Sequence, residues 1–240
     1  MPNVFHPAMN TLSRVSIFGG VFVVAACIGL GWVVVRTPYL TEAGVIREQP
    51  VPFSHQHHVA DAGIDCRYCH TSVEEAAFAG MPTTRVCMNC HTYLFHDQEM
   101  LEPVRTSLRT QVPLAWTRVH DLADFVFFDH SIHIQKGVGC VSCHGRVDQM
   151  PLMWRENSLL MEWCLRCHRQ PEREIRPIEF VFRMEPLEEL ATTDEFRTYM
   201  RDEHPDLLAE GQPIDLIAFR KRLVQQYGVQ SKTNCSNCHW

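Results

Sequence analysis

No run of basic residues occurs in this 240-residue chain, and its formal charge is −6. The electrostatic footprint of a nucleic-acid binder is therefore missing. Cysteine outside one repeated phrase is almost missing as well: of eleven cysteines only Cys27 stands alone, which leaves no pairs for a disulfide framework once the phrase itself is engaged. Charge is absent from Val15 to Val35, a run of twenty-one residues between Arg14 and Arg36. Such a run excludes an ordinary solvated helix there. Otherwise the composition, 45% hydrophobic and 21% charged, is that of a globular chain.

What is present is one five-residue phrase used five times: Cys66-Arg-Tyr-Cys69-His70, Cys87-Met-Asn-Cys90-His91, Cys140-Val-Ser-Cys143-His144, Cys164-Leu-Arg-Cys167-His168 and Cys235-Ser-Asn-Cys238-His239. C-x-x-C-H is the attachment signature of c-type haem, in which two thiols form thioethers with the vinyl groups and the adjacent imidazole reaches the iron. Five copies predict five covalently attached c-type haems. Zinc is the competing chemistry, because seventeen residues separate Cys69 from Cys87 and twenty separate Cys143 from Cys164, within the spacing of paired C-x-x-C zinc sites. Zinc would need the units in pairs, and five is odd. It would also have no use for a histidine after every second cysteine.

About forty residues per haem is too few to wrap each porphyrin separately. The macrocycles should therefore stack and form much of the core, which is what a redox wire requires. The expected fold is that of a multihaem cytochrome c, mostly α and coil around a stacked haem core, with one N-terminal transmembrane helix. Each haem also brings two propionates, so the negative balance is larger than the side chains alone indicate, and many arginines should serve those groups.

Taken in order, residues 1–40 read as a membrane anchor. Val15 to Val35 as a helix would be about 31 Å long, against a hydrocarbon core of about 30 Å. Trp32 and Tyr39 lie where an outer aromatic belt would fall, and Ala25-x-x-x-Gly29 permits close approach of another helix. A cleaved signal peptide normally has a shorter apolar region. Val24-Ala-Ala-Cys27 resembles a lipoprotein cleavage box, but cleavage there would leave Ile28 to Val35 as an odd apolar start. The expectation is an uncleaved anchor in the cytoplasmic membrane. Because bacterial c-type haem is attached outside that membrane, the chain after Arg36 belongs on the periplasmic, outer face.

Residues 41–52 form a linker interrupted by Pro50 and Pro52. An internal repeat follows: Phe53-Ser-His55-Gln-His57-His58 precedes Cys66, and Phe128-Asp-His130-Ser-Ile-His133 precedes Cys140, each followed by a second motif after a comparable gap. Residues 53–92 and 128–170 thus read as one two-haem module used twice, joined by a connector, 93–127. Two histidines three apart on a helical turn point in neighbouring directions and suit two irons better than one. His55, His58, His130 and His133 are the candidate distal ligands, with His120 as the fifth and Met150 and Met153 its competitors. His57 falls on the solvent side of its turn. His96 and His204 stand in acidic, surface-like stretches, and His6 lies across the membrane. Residues 171–240 carry the fifth haem after a stretch without motifs. Apolar residues from Ile214 to Tyr227 recur at helical spacing there, ended by Gly228, and Trp240 is expected against a porphyrin face.

Together PFSHQHH-x7-CRYCH, VHDLADFVFFDHSIHIQKGVGCVSCHGRVDQMP, MEWCLRCH and a last CxxCH after an N-terminal anchor resemble the pentahaem cytochrome subunit of bacterial alternative complex III. The paired FxHxxH units are similar to those of the cytochrome c3/c7 group. The resemblance covers nearly the whole chain and is least distinctive over 169–234. It implies a membrane complex that oxidises menaquinol and passes electrons to a periplasmic acceptor. Its other subunits would be an iron–sulfur protein, polytopic quinol-binding subunits and a monohaem cytochrome c. It also implies that the chain is no enzyme by itself. A pentahaem nitrite reductase would replace one motif histidine by lysine, and all five motifs here end in His. A membrane-anchored multihaem quinol dehydrogenase, the alternative, would carry a Met two residues after a motif His, where this chain has Ser, Tyr, Arg and Gln.

Overall fold

The computed structural model describes residues 5–208 and 214–239; Trp240 lies outside them. Among the described residues there is no strand, only three isolated antiparallel bridges, Ile46 with Trp154, Val126 with His239 and Val138 with Ile175. Everything else is helix, turn and coil. Short helices fit a chain punctuated by fourteen prolines and twelve glycines, since proline removes an amide donor and glycine favours the left-handed turns that end helices.

The chain separates into two units, Met1–Ala43 and Gly44–Trp240. The first holds α1 (Ala8–Val34), twenty-seven residues with no buried residue, whose most apolar 18-residue stretch has mean hydropathy 2.4. By length and composition it can cross a membrane. It starts nearly two turns before the uncharged run, so Arg14 lies within it. At its other end Arg36 stacks over the Trp32 ring at 4.0 Å and donates to the Trp32 carbonyl, closing the last turn with a cation. A short α2 (Pro38–Thr41) follows.

In the second unit, a π-helical turn (Gln56–Asp61) is followed by α3 (Cys66–Cys69), α4 (Thr84–His91), α5 (Glu102–Thr110), α6 (His130–Gln135), α7 (Cys140–His144) and α8 (Met161–Arg169). The stretch without motifs then contributes α9 (Leu187–Leu190), α10 (Asp194–Glu203) and α11 (Leu216–Gln226). Capping is local and chemical. Asp65, Asp129, Thr193 and Asp215 each accept an amide proton in the first turn of α3, α6, α10 and α11.

The largest side-chain core lies in the haem-motif-free part. Ile175, Phe180, Leu187, Leu190, Phe196, Met200, Phe219 and Leu223 form one buried cluster, with Phe196 and Phe219 meeting edge to face at 5.8 Å. The stripe expected over 214–227 supplies Phe219 and Leu223 to it. Where the motifs lie, side-chain clusters are small: Val51, Leu101 and Val104 in one, and Val73, Ile134 and Val181 in another. One expectation needs correction. His204 is not on the surface but 6% exposed, because α10 ends by folding its ring onto Phe219, 5.1 Å between centres, beside Tyr199.

Candidate functional site

Four of the motifs sit on short helices and the last on a 3-10 turn, Cys235–Asn237. One helical turn puts the two cysteines, three apart, and the following histidine on one side of the backbone. None of the ten motif cysteines is in a disulfide. Burial pushes the thiols of Cys140 and Cys143 up to about 12, so each holds its proton. Among the described residues, no three His, Cys, Asp or Glu side chains converge on a point that a bare metal ion would occupy.

Six of the candidate histidines are held in a uniform way. Nδ1 of His58 lies 2.7 Å from the Ser54 carbonyl, that of His70 2.8 Å from Gly80, that of His91 3.0 Å from Leu94, that of His130 2.7 Å from Ala77, that of His133 2.6 Å from Asp129 and that of His239 3.2 Å from Phe125. A carbonyl oxygen only accepts, so in all six rings Nδ1 donates and Nε2 keeps its lone pair. This is how a protein fixes the tautomer and aim of a ligating imidazole. Gly80 presents its carbonyl to His70 from a left-handed turn (φ 84°), where a Cβ would meet Ser72 Oγ at 2.8 Å.

The two F-x-H-x-x-H turns have nearly the same internal geometry. Phe53 meets His55 edge-on at 4.8 Å and stacks on His58 at 4.4 Å and 26°. Phe128 meets His130 edge-on at 4.8 Å and stacks on His133 at 4.7 Å and 26°. Each phenyl ring thus fixes two imidazoles in different directions. The far partners repeat too: His58 stands 6.1 Å from His91, ring centre to ring centre, and His133 stands 6.1 Å from His168. His130 and His144 are 6.3 Å apart and nearly parallel. Two metal–nitrogen bonds of about 2 Å, plus about 1 Å from each nitrogen to its ring centre, separate opposed imidazoles by roughly 6 Å. The spacing therefore fits one iron between the members of each pair.

His120 is brought to the same neighbourhood, 4.3 Å from the His144 ring. Its Nε2 is buried without a hydrogen-bond partner, as is Nδ1 of His55. A buried imidazole nitrogen left unpaired is costly unless something else takes its lone pair or proton. Burial holds both His55 and His120 down to about 4, and burial, reinforced by His120, His130 and His70, holds His144 well below the ordinary range. All three are neutral imidazoles, the form that binds iron. Neither His120 nor any of the other four distal candidates is paired with His239 among the ring contacts, where Phe125 is the neighbour at 5.7 Å. The last motif is instead stitched to the backbone of 125–127, with Phe127 N donating to Cys238 O at 2.8 Å.

His57 falls outside this set, pairing with Asp61 at 2.7 Å on the exposed face of its turn. Met150 is fully buried and its carbonyl accepts from Gln56 N at 3.1 Å. Residue-by-residue reading missed the carbonyls that orient the rings, which no side-chain pattern marks, and it missed Arg176, 3% exposed beside the third motif.

Paired thiols one helical turn from an oriented imidazole, repeated along a chain with no strand among its described residues and faced by further imidazoles, are the donor set of multihaem c-type cytochromes. No protein-family model matches the chain. Over 99 residues, 41% of its length, it is 38% identical to a protein of Nitratidesulfovibrio vulgaris (strain Hildenborough) described as the multihaem cytochrome c subunit of menaquinone reductase. The matched stretch is 46% of that relative, so the chain spans about half its length. The chain is a homologue of a multihaem cytochrome c.

Proposed function

We propose that this chain is a membrane-anchored pentahaem cytochrome c of the alternative complex III type, which relays electrons between a menaquinone-reactive membrane complex and a periplasmic carrier. The observation that carries the reading is the duplicated geometry of the two F-x-H-x-x-H turns, each setting one imidazole 6.1 Å from the histidine of a later motif. A bound haem in each site would supply a one-electron Fe(III)/Fe(II) couple. The chain's part is to hold spacing, ligands and dielectric. His70, His91, His144, His168 and His239 are the proximal ligands, and His55, His58, His120, His130 and His133 the distal ones. An iron with two strong side-chain ligands has no vacant position for a substrate, which suits relay and not catalysis.

On this reading residues 53–92 and 128–170 are the two-haem modules, 93–127 the connector and 171–240 the segment with the fifth haem. α1 is the anchor in the cytoplasmic membrane and meets lipid. It offers no ionisable group but Cys27 in its uncharged run, so the acid–base chemistry of quinol turnover belongs to polytopic partners. An iron–sulfur subunit and a monohaem cytochrome c complete the complex. Electrons leave menaquinol and pass outward. The relative's description as a subunit of a menaquinone reductase favours a second reading, the same wire run inward.

The test is purification of the membrane complex. Haem-stained gels and mass measurement should give five haems on this chain and co-purifying quinone-reactive subunits. Reduction of the haems by a menaquinol analogue, followed by transfer to soluble cytochrome c, supports the outward direction. Menaquinone reduction driven by reduced cytochrome c supports the inward one, and neither would refute the relay.

A further inference from the structure

We propose that Arg176 is a fixed buried cation that raises the reduction potential of the haem attached at Cys140 and Cys143. The assignment rests on the multihaem reading and adds a role for a residue outside every motif. Arg176 is 3% exposed. Its Nη1 donates to three backbone carbonyls, those of Phe180 at 3.5 Å, Arg183 at 3.0 Å and Glu185 at 3.0 Å. Burial lowers the Arg176 pKa from its ordinary value, yet a guanidinium keeps its proton in proteins, and carbonyl dipoles orient it without cancelling its charge.

The nearby carboxylates are committed elsewhere. Glu185 pairs with Arg183 at 3.0 Å and Glu188 with Arg220 at 2.9 Å. No ion pair of Arg176 occurs among the described residues. A buried charge without a direct ion pair is expensive, and the fold nevertheless builds a dedicated cradle for it, with Glu185 and Glu188 acting on it only at longer range.

The cradle is placed against the third motif. A methyl group added at Gly139 would collide with Nε and come within 2.7 Å of Cζ of Arg176, so the guanidinium occupies the space beside the residue that precedes Cys140. The backbone is pinned in the same place. Arg176 N donates to Gly137 O at 2.8 Å, Cys140 N donates to Val181 O at 3.0 Å, and Val138 bridges Ile175. A haem held here would be tethered through Cys140 and Cys143, beside this cation.

The step affected is Fe(III) plus one electron, from a neighbouring haem, giving Fe(II), with no bond or proton change. The oxidised iron carries one more positive charge, so a cation held close in a poorly screening interior favours the reduced form. Arg176 acts through this field and through the position of the 137–140 turn. It ligates nothing.

The experiment is a spectroelectrochemical titration of the assembled, detergent-solubilised protein. Arg176→Met should lower one haem's potential by at least tenfold in its redox equilibrium, about 59 mV for one electron, and leave the other four in place. Arg176→Lys, which keeps the charge, should stay within threefold of wild type. Potentials unmoved in the Met variant, or lowered equally by Lys, would overturn the assignment, the second result by making the effect one of packing. If the Met variant does not mature with five haems, Gly139→Ala must lower the same single potential by displacing the intact guanidinium, and an unchanged value there counts against the proposal. The titration needs no quinone partner. Failure of the complex to exchange electrons with menaquinone would sink the functional reading and leave this assignment standing, whereas an unmoved potential sinks only Arg176.

Discussion

Replacing His58 by alanine removes one ring from a pair whose centres are 6.1 Å apart, while leaving His91 anchored through its own Nδ1 to the Leu94 carbonyl. The haem at Cys87 and Cys90 should then keep its covalent bonds and proximal imidazole and lose its sixth ligand. One haem in five becomes high-spin, so about a fifth of the low-spin absorbance is exchanged for a high-spin signature. His133→Ala should do the same to the haem at Cys164 and Cys167, because His133 stands 6.1 Å from His168. The two sites share no ligand on this assignment, so the double variant should show about two fifths of the haem altered, an additive result. His57→Ala is the control, since its ring is bound to Asp61 on the exposed face, and the spectrum should not change. Optical and low-temperature EPR spectra of the purified protein measure all four variants. A fully low-spin His58→Ala protein, or a double variant no different from either single one, would refute the pairing drawn from these distances.

Denaturing mass spectrometry of the native protein should give the polypeptide plus five haems; a mass starting at Cys27, or one carrying zinc and no haem, would contradict both the anchor and the cofactor assignment. Phe219→Ala empties the centre of the motif-free core, where Phe219 is fully buried, and should cost about 3–5 kcal/mol, read from chemical denaturation of the solubilised protein. The Arg183 guanidinium, hydrogen-bonded to Glu185, holds that carboxyl below its usual range; with the folded value depressed, the contribution is complete above the unfolded value of 4.5 and fades as pH falls through the folded one. Glu185→Gln should therefore remove part of the acid sensitivity, measured as the pH dependence of the denaturation midpoint. The isolated subunit, reduced by dithionite, should pass electrons to soluble cytochrome c and show no quinol turnover; robust quinol:cytochrome c activity from this chain alone would favour the quinol-dehydrogenase alternative.

The parts of this architecture that could be read from the chain are those carried by local repetition. The C-x-x-C-H phrase marks the thiols and the adjacent imidazole within five residues, and F-x-H-x-x-H marks a turn whose aromatic contacts are all internal to it. The apolar run likewise announces α1, although the helix extends beyond it to Ala8 because the polar residues before Arg14 do not oppose a helix. Partner choice was not legible. That His120 lies against His144 and not beside His239 depends on where the connector folds, and residues 93–127 carry no periodic signal for that. His204 was misplaced for a related reason: the acidic residues around it describe the outer face of α10, while its ring turns inward at the helix end. Arg176 is one of twenty-two basic residues, and only its burial, its carbonyl partners and the crowding at Gly139 distinguish it.

The seam between the last motif and residues 125–127 bears on how the molecule is built. His239 Nδ1 meets a carbonyl 114 residues earlier in the chain, and Phe127 N meets Cys238 O. Synthesis and export proceed from the N-terminus, so the two modules can each find their facing imidazoles while the rest is still emerging. The 125–127 segment, lying between those modules in sequence, cannot acquire its partner until Cys238 and His239 arrive. Haem loading at Cys235 and Cys238 should accordingly follow the other four, and a chain stopped before Cys235 would be a four-haem product with an open seam. Ligation order in this protein would then report on whether synthesis has reached the fifth motif.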